Sequence, residues 1–240
     1  MSSPQSTASA DLAEWGPSNG SGLAAVDWLW LVVVLGVPGL VVGTLLGLTV
    51  GWIAGLVGAA IYGALVLAWL YIQGRMALKS VQARPLQRSE ALRLFNVTEG
   101  LAGDLGVAAP SLWVIPSGEP NAFFVRATSP ILAVTKSLLD TYTRTELEGV
   151  VAHCLIRLQP RTMRRATLAG GLGEVAGPAG VIGLDEVDAR AAALTRYPLG
   201  LASAVEKTGP RGGRRAPFWF VPAGGRHLSR DDRAALLREL

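Results

Sequence analysis

The longest hydrophobic pattern in the chain runs from residue 28 to residue 72, and no charged residue interrupts it. A helix needs about 20 residues to cross the roughly 30 Å hydrocarbon core of a bilayer. The run is too long for one crossing and long enough for two. We therefore predict two membrane-spanning helices, at about residues 28–48 and 52–71, that form a hairpin.

Glycines recur every four residues along this hairpin, at positions 39, 43, 47, 51 and 55. On a helix this spacing gives a smooth stripe that permits the close approach of another backbone. The simpler interpretation is that the stripe packs the two helices of the hairpin against each other. The alternative is contact with a second copy of the chain or with a related protein.

Helical and strand patterns follow the hairpin. A helix is predicted to begin near Ser89 and to stop at Gly106, and short strands are predicted at residues 112–115, 122–125 and 131–135. Thr143 and Glu146 have the spacing of a capping box. The helix that they open has apolar residues at helical spacing, carries His153 and is halted by Pro160. Residues 159–183 are predicted to be a short link containing Gly and Arg.

The charges divide the chain into two parts. Residues 1–74 contain no Lys or Arg, so all 22 basic residues of the chain come later. We predict a disordered tail at residues 1–25, rich in Ser, Gly and Pro, a two-span hairpin at 26–74 and a folded domain at 75–240. Because basic residues such as Arg75 and Lys79 directly follow the second span, the domain is expected on the cytoplasmic side of a multi-pass cell-membrane protein.

Composition also narrows the partners. The basic residues are scattered and are not interleaved with aromatic ones, so nucleic acid is not an expected partner, whereas membrane lipid is. The single cysteine, Cys154, excludes an intrachain disulfide.

The five residues His153 to Arg157, HCLIR, can be compared with the zinc-binding motif H-E-x-x-H. In H-E-x-x-H, two histidines one helical turn apart bind zinc and the glutamate acts as general base. Only the first histidine is present here, and a lone histidine on a helix is more often structural than a ligand.

Four segments resemble one family, the HtpX-type membrane zinc metallopeptidases, which are gluzincins related to the CAAX prenyl endopeptidases. PNAFFVRATSPILAVTKSLLDTYTRTELEGVVAH is similar to the region before the family's zinc motif. ARPLQRSEALRLFNVTEGLA is similar to the helix that follows the family's second span. DARAAALTRYPLGLASAVEK is similar to the segment after the family's third zinc ligand, and HLSRDDRAALLREL to its closing helix. The resemblance implies an α+β fold: a two-helix transmembrane hairpin, then a mainly helical, zincin-like peptidase domain with a small sheet.

Carried over residue by residue, the resemblance implies that the zinc site is lost. His153 matches the first zinc ligand, but Arg157 stands at the second. Leu184, four residues before Asp188, stands at the third, and Cys154 occupies the position of the general base. Leucine has no lone pair and arginine stays protonated. We therefore expect no metal ligand set, no catalytic residue and no cofactor.

Two further expectations concern neighbouring residues. Cys154 lies on the apolar stripe of its helix, which predicts a buried and inert thiol. Asn121, Ala122 and Phe123 resemble the edge strand along which family members bind substrate, so we expect them to bind an extended peptide.

These expectations favour a catalytically inactive pseudopeptidase that binds peptides or acts as an adaptor or regulator, in contact with itself or with an active relative through the hairpin. The alternative is an active zinc-dependent membrane metalloendopeptidase whose metal site is rearranged. A third hypothesis is a purely structural membrane protein.

Overall fold

The computed structural model describes residues 29–224 and 227–240, without the side chains of residues 178 and 179. The predicted tail at 1–25 and the predicted start of the first span at Trp28 lie outside the described residues.

Two long apolar helices form the hairpin. Helix α1 spans Leu29–Thr49 and helix α2 spans Trp52–Ser80, and both are long and apolar enough to cross a membrane. Most of their side chains are exposed, unlike those of core helices in soluble proteins. A π-helical stretch at Val32–Gly36 precedes Pro38, which lacks a backbone N–H. The second helix extends beyond the predicted end at residue 71 and continues through the predicted domain boundary at 74–75.

The glycine stripe lies inside the hairpin. A Cβ atom at Gly55 would lie 2.6 Å from the Gly43 carbonyl oxygen, and one at Gly39 would lie 2.7 Å from the Tyr62 ring. These contacts confirm the simpler interpretation, packing between α1 and α2. Contact with another chain through the hairpin stays a prediction.

A four-stranded sheet follows, with strands β1 Arg84–Pro85, β2 Ser111–Ile115, β3 Ala122–Arg126 and β4 Pro130–Thr135. The strand order in the sheet is β1-β2-β4-β3. Strands β2 and β4 are parallel, and the other two pairs are antiparallel. The three predicted strands are confirmed to within one residue, whereas β1 was not predicted. Strand β3 lies at an edge of the sheet.

Seven helices lie after the hairpin in the described chain. They are α3 Leu92–Asp104, α4 Lys136–Thr141, α5 Arg144–Arg157, α6 Pro160–Leu172, α7 Leu184–Thr195, α8 Pro198–Lys207 and α9 Arg230–Glu239, with 3₁₀ segments at Gly173–Gly180 and Ala216–Phe218. Helix α5 is central, because α3, α7, α8 and β3 all contact it. The mixed helix-and-strand class is confirmed, and the zincin-like assignment of the domain stays a prediction.

Two local predictions were wrong. Helix α3 begins after Ala91, not at Ser89, because the Glu90 carboxylate accepts hydrogen bonds from Arg84 and from the Gln87 N–H and belongs to the preceding turn. The predicted link after residue 159 is instead helical up to Leu172. Pro160 starts this helix at a position that needs no N–H donor.

Candidate functional site around His153 and Arg157

Helix α5 is fixed at its start and along one side. The Thr143 hydroxyl accepts a hydrogen bond from the Glu146 N–H at 3.3 Å, and the Glu146 carboxylate accepts one from the Thr143 N–H at 2.9 Å. This confirms the predicted capping box. Gly149 admits helix α8, because a Cβ atom there would lie 2.9 Å from the Cα of Leu201. All residues from 149 to 157 are consequently buried, including those of the predicted site.

His153 is a buried, neutral imidazole. Its Nδ1–H donates to the Asp188 carboxylate at 2.7 Å, and its ring packs in a T-shaped arrangement with the Phe220 ring at a centroid distance of 4.9 Å. Burial lowers the pKa of His153 to about 4, against the opposing effect of Asp188. The Nε2 atom is buried and has no hydrogen-bond partner among the described residues. Its lone pair is therefore the one donor that this site retains for a metal.

Asp188 connects His153 to the last helix. Arg233 donates to both carboxylate oxygens, at 2.6 and 2.9 Å, and also to the Phe220 carbonyl at 3.2 Å. Burial alone would raise the pKa of Asp188, but the charge of Arg233 and the hydrogen bond from His153 outweigh it and lower the pKa to about 2. The pair is thus an ionised, bidentate salt bridge in the interior. The sequence motifs identified Asp188 but gave no sign of Arg233.

Arg157 fills the position one turn after His153. Its side chain is completely buried, its Nη2 donates to the Pro217 carbonyl at 2.7 Å, and its guanidinium lies 4.6 Å from the centre of the Phe124 ring. The Nε and Nη1 atoms have no partner among the described residues. Burial, and then the charge of Arg233, lower the pKa of Arg157 to about 9, so the group is still charged at neutral pH.

The resemblance assigns two further positions, Cys154 and Leu184, to the zinc site. Cys154 is buried, as predicted, and burial raises the pKa of its thiol to about 12. Leu184 is buried at the first position of α7. The neighbouring acids, Asp185 and Glu186, are exposed, so they do not replace it.

The side chains present do not fit a zinc ion. Zinc takes three or four protein ligands, and of the three family positions only His153 carries a donor. Across residues 29–224 and 227–240, no three His, Cys, Asp or Glu residues lie close enough together to hold a metal. A charged guanidinium at the second position would also repel the ion.

The predicted peptide-binding strand is present but covered. Asn121, Ala122 and Phe123 are fully buried at the start of β3. The Phe220 N–H donates to the Ala122 carbonyl at 2.8 Å, and Phe123 forms an antiparallel bridge with Trp219. We call residues 219–221 the covering segment, because they occupy the outer edge of β3.

The Asn121 side chain holds this arrangement. Its amide nitrogen donates to the Gly209 carbonyl at 2.8 Å and to the Val221 carbonyl at 3.3 Å. Its oxygen accepts the Ala122 N–H at 2.8 Å. An extended peptide would therefore have to displace the covering segment to pair with this end of β3.

Comparison with known proteins gives one consistent family. The chain is 36% identical over 97 residues to a protease HtpX homolog of Thermococcus sibiricus. The aligned region covers 40% of this chain and 33% of that protein. It is 36% identical over 121 residues to one of Halobacterium salinarum, covering 49% and 42%. It is 31% identical over 176 residues to one of Dictyoglomus thermophilum, covering 54% and 58%.

The chain spans about half the length, or less, of these curated relatives. No family model and no solved structure matches it. The three relatives carry the same name, and the two apolar helices agree with a membrane protease family. Over the region that these relatives share with it, the chain is similar to the HtpX-like family.

Proposed function

We propose that this chain is a catalytically inactive, HtpX-like membrane protein that keeps a zincin-like domain without its zinc chemistry. The observation that carries the proposal is the buried guanidinium of Arg157 at the position of the second zinc ligand. It is held there by the Pro217 carbonyl and by the Phe124 ring.

The other groups required for peptide hydrolysis are missing as well. A general base needs a pKa near the working pH, and the Cys154 thiol, with a pKa of about 12, stays protonated. Cys154 is also adjacent to His153 on the helix, and adjacent helical residues do not face each other. The two residues therefore do not form a nucleophile–base pair.

The role that remains is binding. β3 is an edge strand, and an edge can pair with an extended peptide. We propose that Asn121, Ala122 and Phe123 bind such a peptide, as an adaptor or regulator would, when the covering segment moves aside. A second copy or an active relative that contacts the hairpin is a further proposed partner, beside membrane lipid.

The proposed orientation is a two-span protein with its folded domain in the cytoplasm. Arg75 and Lys79 lie at the end of α2, where the helix meets the domain. Basic residues next to a span favour the cytoplasmic side.

Metal analysis of the purified full-length chain tests the loss of activity. We expect far less than one zinc per chain and no cleavage of casein, with no change in the variant His153→Ala. A matched gain-of-function control is Cys154→Glu/Arg157→His/Leu184→Glu, which we expect to bind zinc. Stoichiometric zinc in the natural chain, lost together with proteolysis in His153→Ala, would instead establish the active endopeptidase with a rearranged site.

Crosslinking tests the binding role. A photoreactive residue at Phe123 should capture an extended peptide more efficiently when Phe220→Ala loosens the covering segment. Equal and negligible capture in both forms would contradict peptide binding and favour the purely structural hypothesis.

A further inference from the structure

A cavity of about 540 Å³ lies beside the lost zinc site. Arg157 forms part of its wall, together with Leu184 and with residues of the Gly173–Gly180 segment and the Ala216–Phe218 turn. Most of the lining is apolar, including Val181, Ile182 and Pro217. A ligand with an apolar body and one polar group suits such a space.

The cavity wall is in contact with the membrane hairpin. The Trp30 indole donates to the Val175 carbonyl at 2.9 Å, and the Trp69 ring lies against Gly171, where a Cβ atom would come within 2.7 Å. The 3₁₀ segment is therefore held between the hairpin and the cavity. If the hairpin spans a bilayer, an amphipathic molecule at the bilayer surface would have a short path to this cavity.

The buried charges next to the cavity do not balance. Arg157 and Arg233 are both positive, whereas Asp188 is the one buried carboxylate hydrogen-bonded to either of them among the described residues. Arg233 and Asp188 neutralise each other, which leaves the charge of Arg157 uncompensated. An unpaired buried charge is costly unless a counter-ion joins it.

Arg157 also has free donors. A guanidinium offers five N–H groups. Among the described residues, Nη2 has a protein acceptor, whereas the buried Nε and Nη1 atoms have none. The two other charged side chains on the wall, Glu174 and Arg214, are exposed, so water screens their charges. Arg157 is thus the group that an anion in this cavity would meet.

His227, on the same wall, adds an acceptor. Its Nδ1 faces the Leu228 carbonyl at 3.0 Å and must donate to it, which leaves a lone pair on Nε2. That atom is buried and has no partner among the described residues. A ligand with an N–H group near its anionic end would satisfy it.

We propose that this cavity binds a carboxylate carried on an apolar body, with Arg157 as its counter-ion. The loss of the zinc ligands thus converted a cation site into an anion site. Two molecules share the required chemistry, the C-terminus of an apolar peptide and a fatty acid. An amide N–H that can reach His227 is present in the first and absent from the second. The proposal goes beyond the loss of peptidase activity, because binding can be measured whether or not zinc is found.

Binding is tested on the full-length chain in detergent by calorimetric titration with acetyl-leucyl-leucine and with its C-terminal amide. A charged group hydrogen-bonded in a buried site favours the acid by about tenfold or more. Octanoate and octanol form the second pair of probes, and inorganic phosphate is the anion without an apolar body. The amide and the alcohol also partition into detergent micelles. The comparison within each pair therefore corrects for partitioning into micelles.

Three variants locate the site. Arg157→Met should abolish the preference for the acids, whereas Arg214→Met, on the same wall but exposed, should keep it. Val181→Trp fills the cavity with Arg157 still in place and should weaken both acids. If Arg157→Met does not fold, the effect of Val181→Trp shows whether the acids bind in this cavity.

The two probe pairs distinguish the sources. Arg157-dependent binding of acetyl-leucyl-leucine that weakens in His227→Phe identifies a peptide C-terminus, and binding of octanoate without an effect of His227→Phe identifies a fatty acid. Equal binding of acid and amide, no binding of either acid, or binding of phosphate alone would overturn the proposal.

Discussion

The Nη2 atom of Arg157 donates a hydrogen bond to the carbonyl oxygen of Pro217 at 2.7 Å. This contact joins helix α5 to the turn that leads directly into the covering segment. The residue that stands in place of a zinc ligand therefore also ties down the segment lying on the edge of β3. The proposed loss of the metal site and the covering of the β3 edge therefore involve the same side chain.

Arg157→Met should loosen the covering segment without unfolding the protein. A hydrogen bond from a charged group contributes about 1.5–3 kcal/mol, so amide exchange at Phe220 should become roughly tenfold faster or more. Overall stability should be unchanged or higher, because the variant removes an uncompensated buried charge. Hydrogen exchange with mass spectrometry measures both, and the exposed Arg214→Met is the control. Unchanged exchange at residues 219–221 would contradict this link.

Stability should fall as the pH is lowered from 6.5 towards 4. The pKa of His153 is lowered to about 4 in the folded chain from an ordinary value of 6.5, so the unfolded chain binds more protons between these values. The stabilisation is complete above pH 6.5 and is lost as the pH falls, by about 2 kcal/mol at pH 5. Neighbouring Asp188, with a pKa of about 2, stays ionised throughout.

Thermal unfolding at a series of pH values checks this dependence. The chain has 2 histidines, so His227→Asn is a matched control that should keep the pH dependence, whereas His153→Asn should flatten it. The same slope in His153→Asn as in the natural chain would rule out His153 as its source.

Breaking the buried pair of Asp188 and Arg233 should be strongly destabilising. Asp188→Asn leaves a guanidinium without its counter-ion and should cost about 3–5 kcal/mol. The double variant Asp188→Asn/Arg233→Met should lose less than the sum of the two single variants, because neither charge is then left alone. Denaturant titration measures the four proteins of this cycle.

The exposed pair of Arg84 and Glu90 provides the comparison. Its atoms are as close, at 2.6 Å, but both side chains are at least one-third exposed. Glu90→Gln should therefore have little effect. Additive losses in the buried cycle would show that Asp188 and Arg233 act independently.

Two glycine-to-alanine changes on helices should have opposite signs. Gly149→Ala places a methyl group 2.9 Å from the Leu201 backbone and should cost about 1–3 kcal/mol. Gly100→Ala, in the exposed part of α3 with no atom within 4 Å, should stabilise the chain by about 0.5–1 kcal/mol. Melting temperatures of the two variants check this, and a stabilising Gly149→Ala would show that α5 and α8 are packed less closely.

Local patterns predicted much of the fold. The uncharged run gave the hairpin, Thr143 and Glu146 gave the start of α5, and apolar runs bounded by Pro and Gly gave three strands. Cys154 was correctly predicted to be buried from its place on the apolar stripe. These features depend on residues that are a few positions apart, and such local spacing can be recognised in the sequence alone.

The contacts that decide the state of the site are long-range. Pro217 is 60 residues from Arg157, and Val221 is 100 residues from Asn121. Nothing in the residues around 217–221 marks them as a cover for β3. Helix α6 was not predicted for a related reason. Its glycines suggested a flexible link, but Gly170 and Gly171 allow close contacts with Phe218 and Trp69, which are distant in sequence.

Helix α2 has a mechanical consequence for the domain. Its 29 residues measure about 43 Å at 1.5 Å per residue, which exceeds a bilayer core of roughly 30 Å. Its far end contacts β3, since a Cβ atom at Gly74 would overlap the Arg126 carbonyl oxygen. A membrane of different thickness changes the tilt of a spanning helix. A change in the tilt of α2 would act on β3, because the end of α2 contacts that strand. A change in the thickness of the surrounding lipid is therefore expected to shift β3 through helix α2. This shift would affect the edge of β3 at which we propose that a peptide binds.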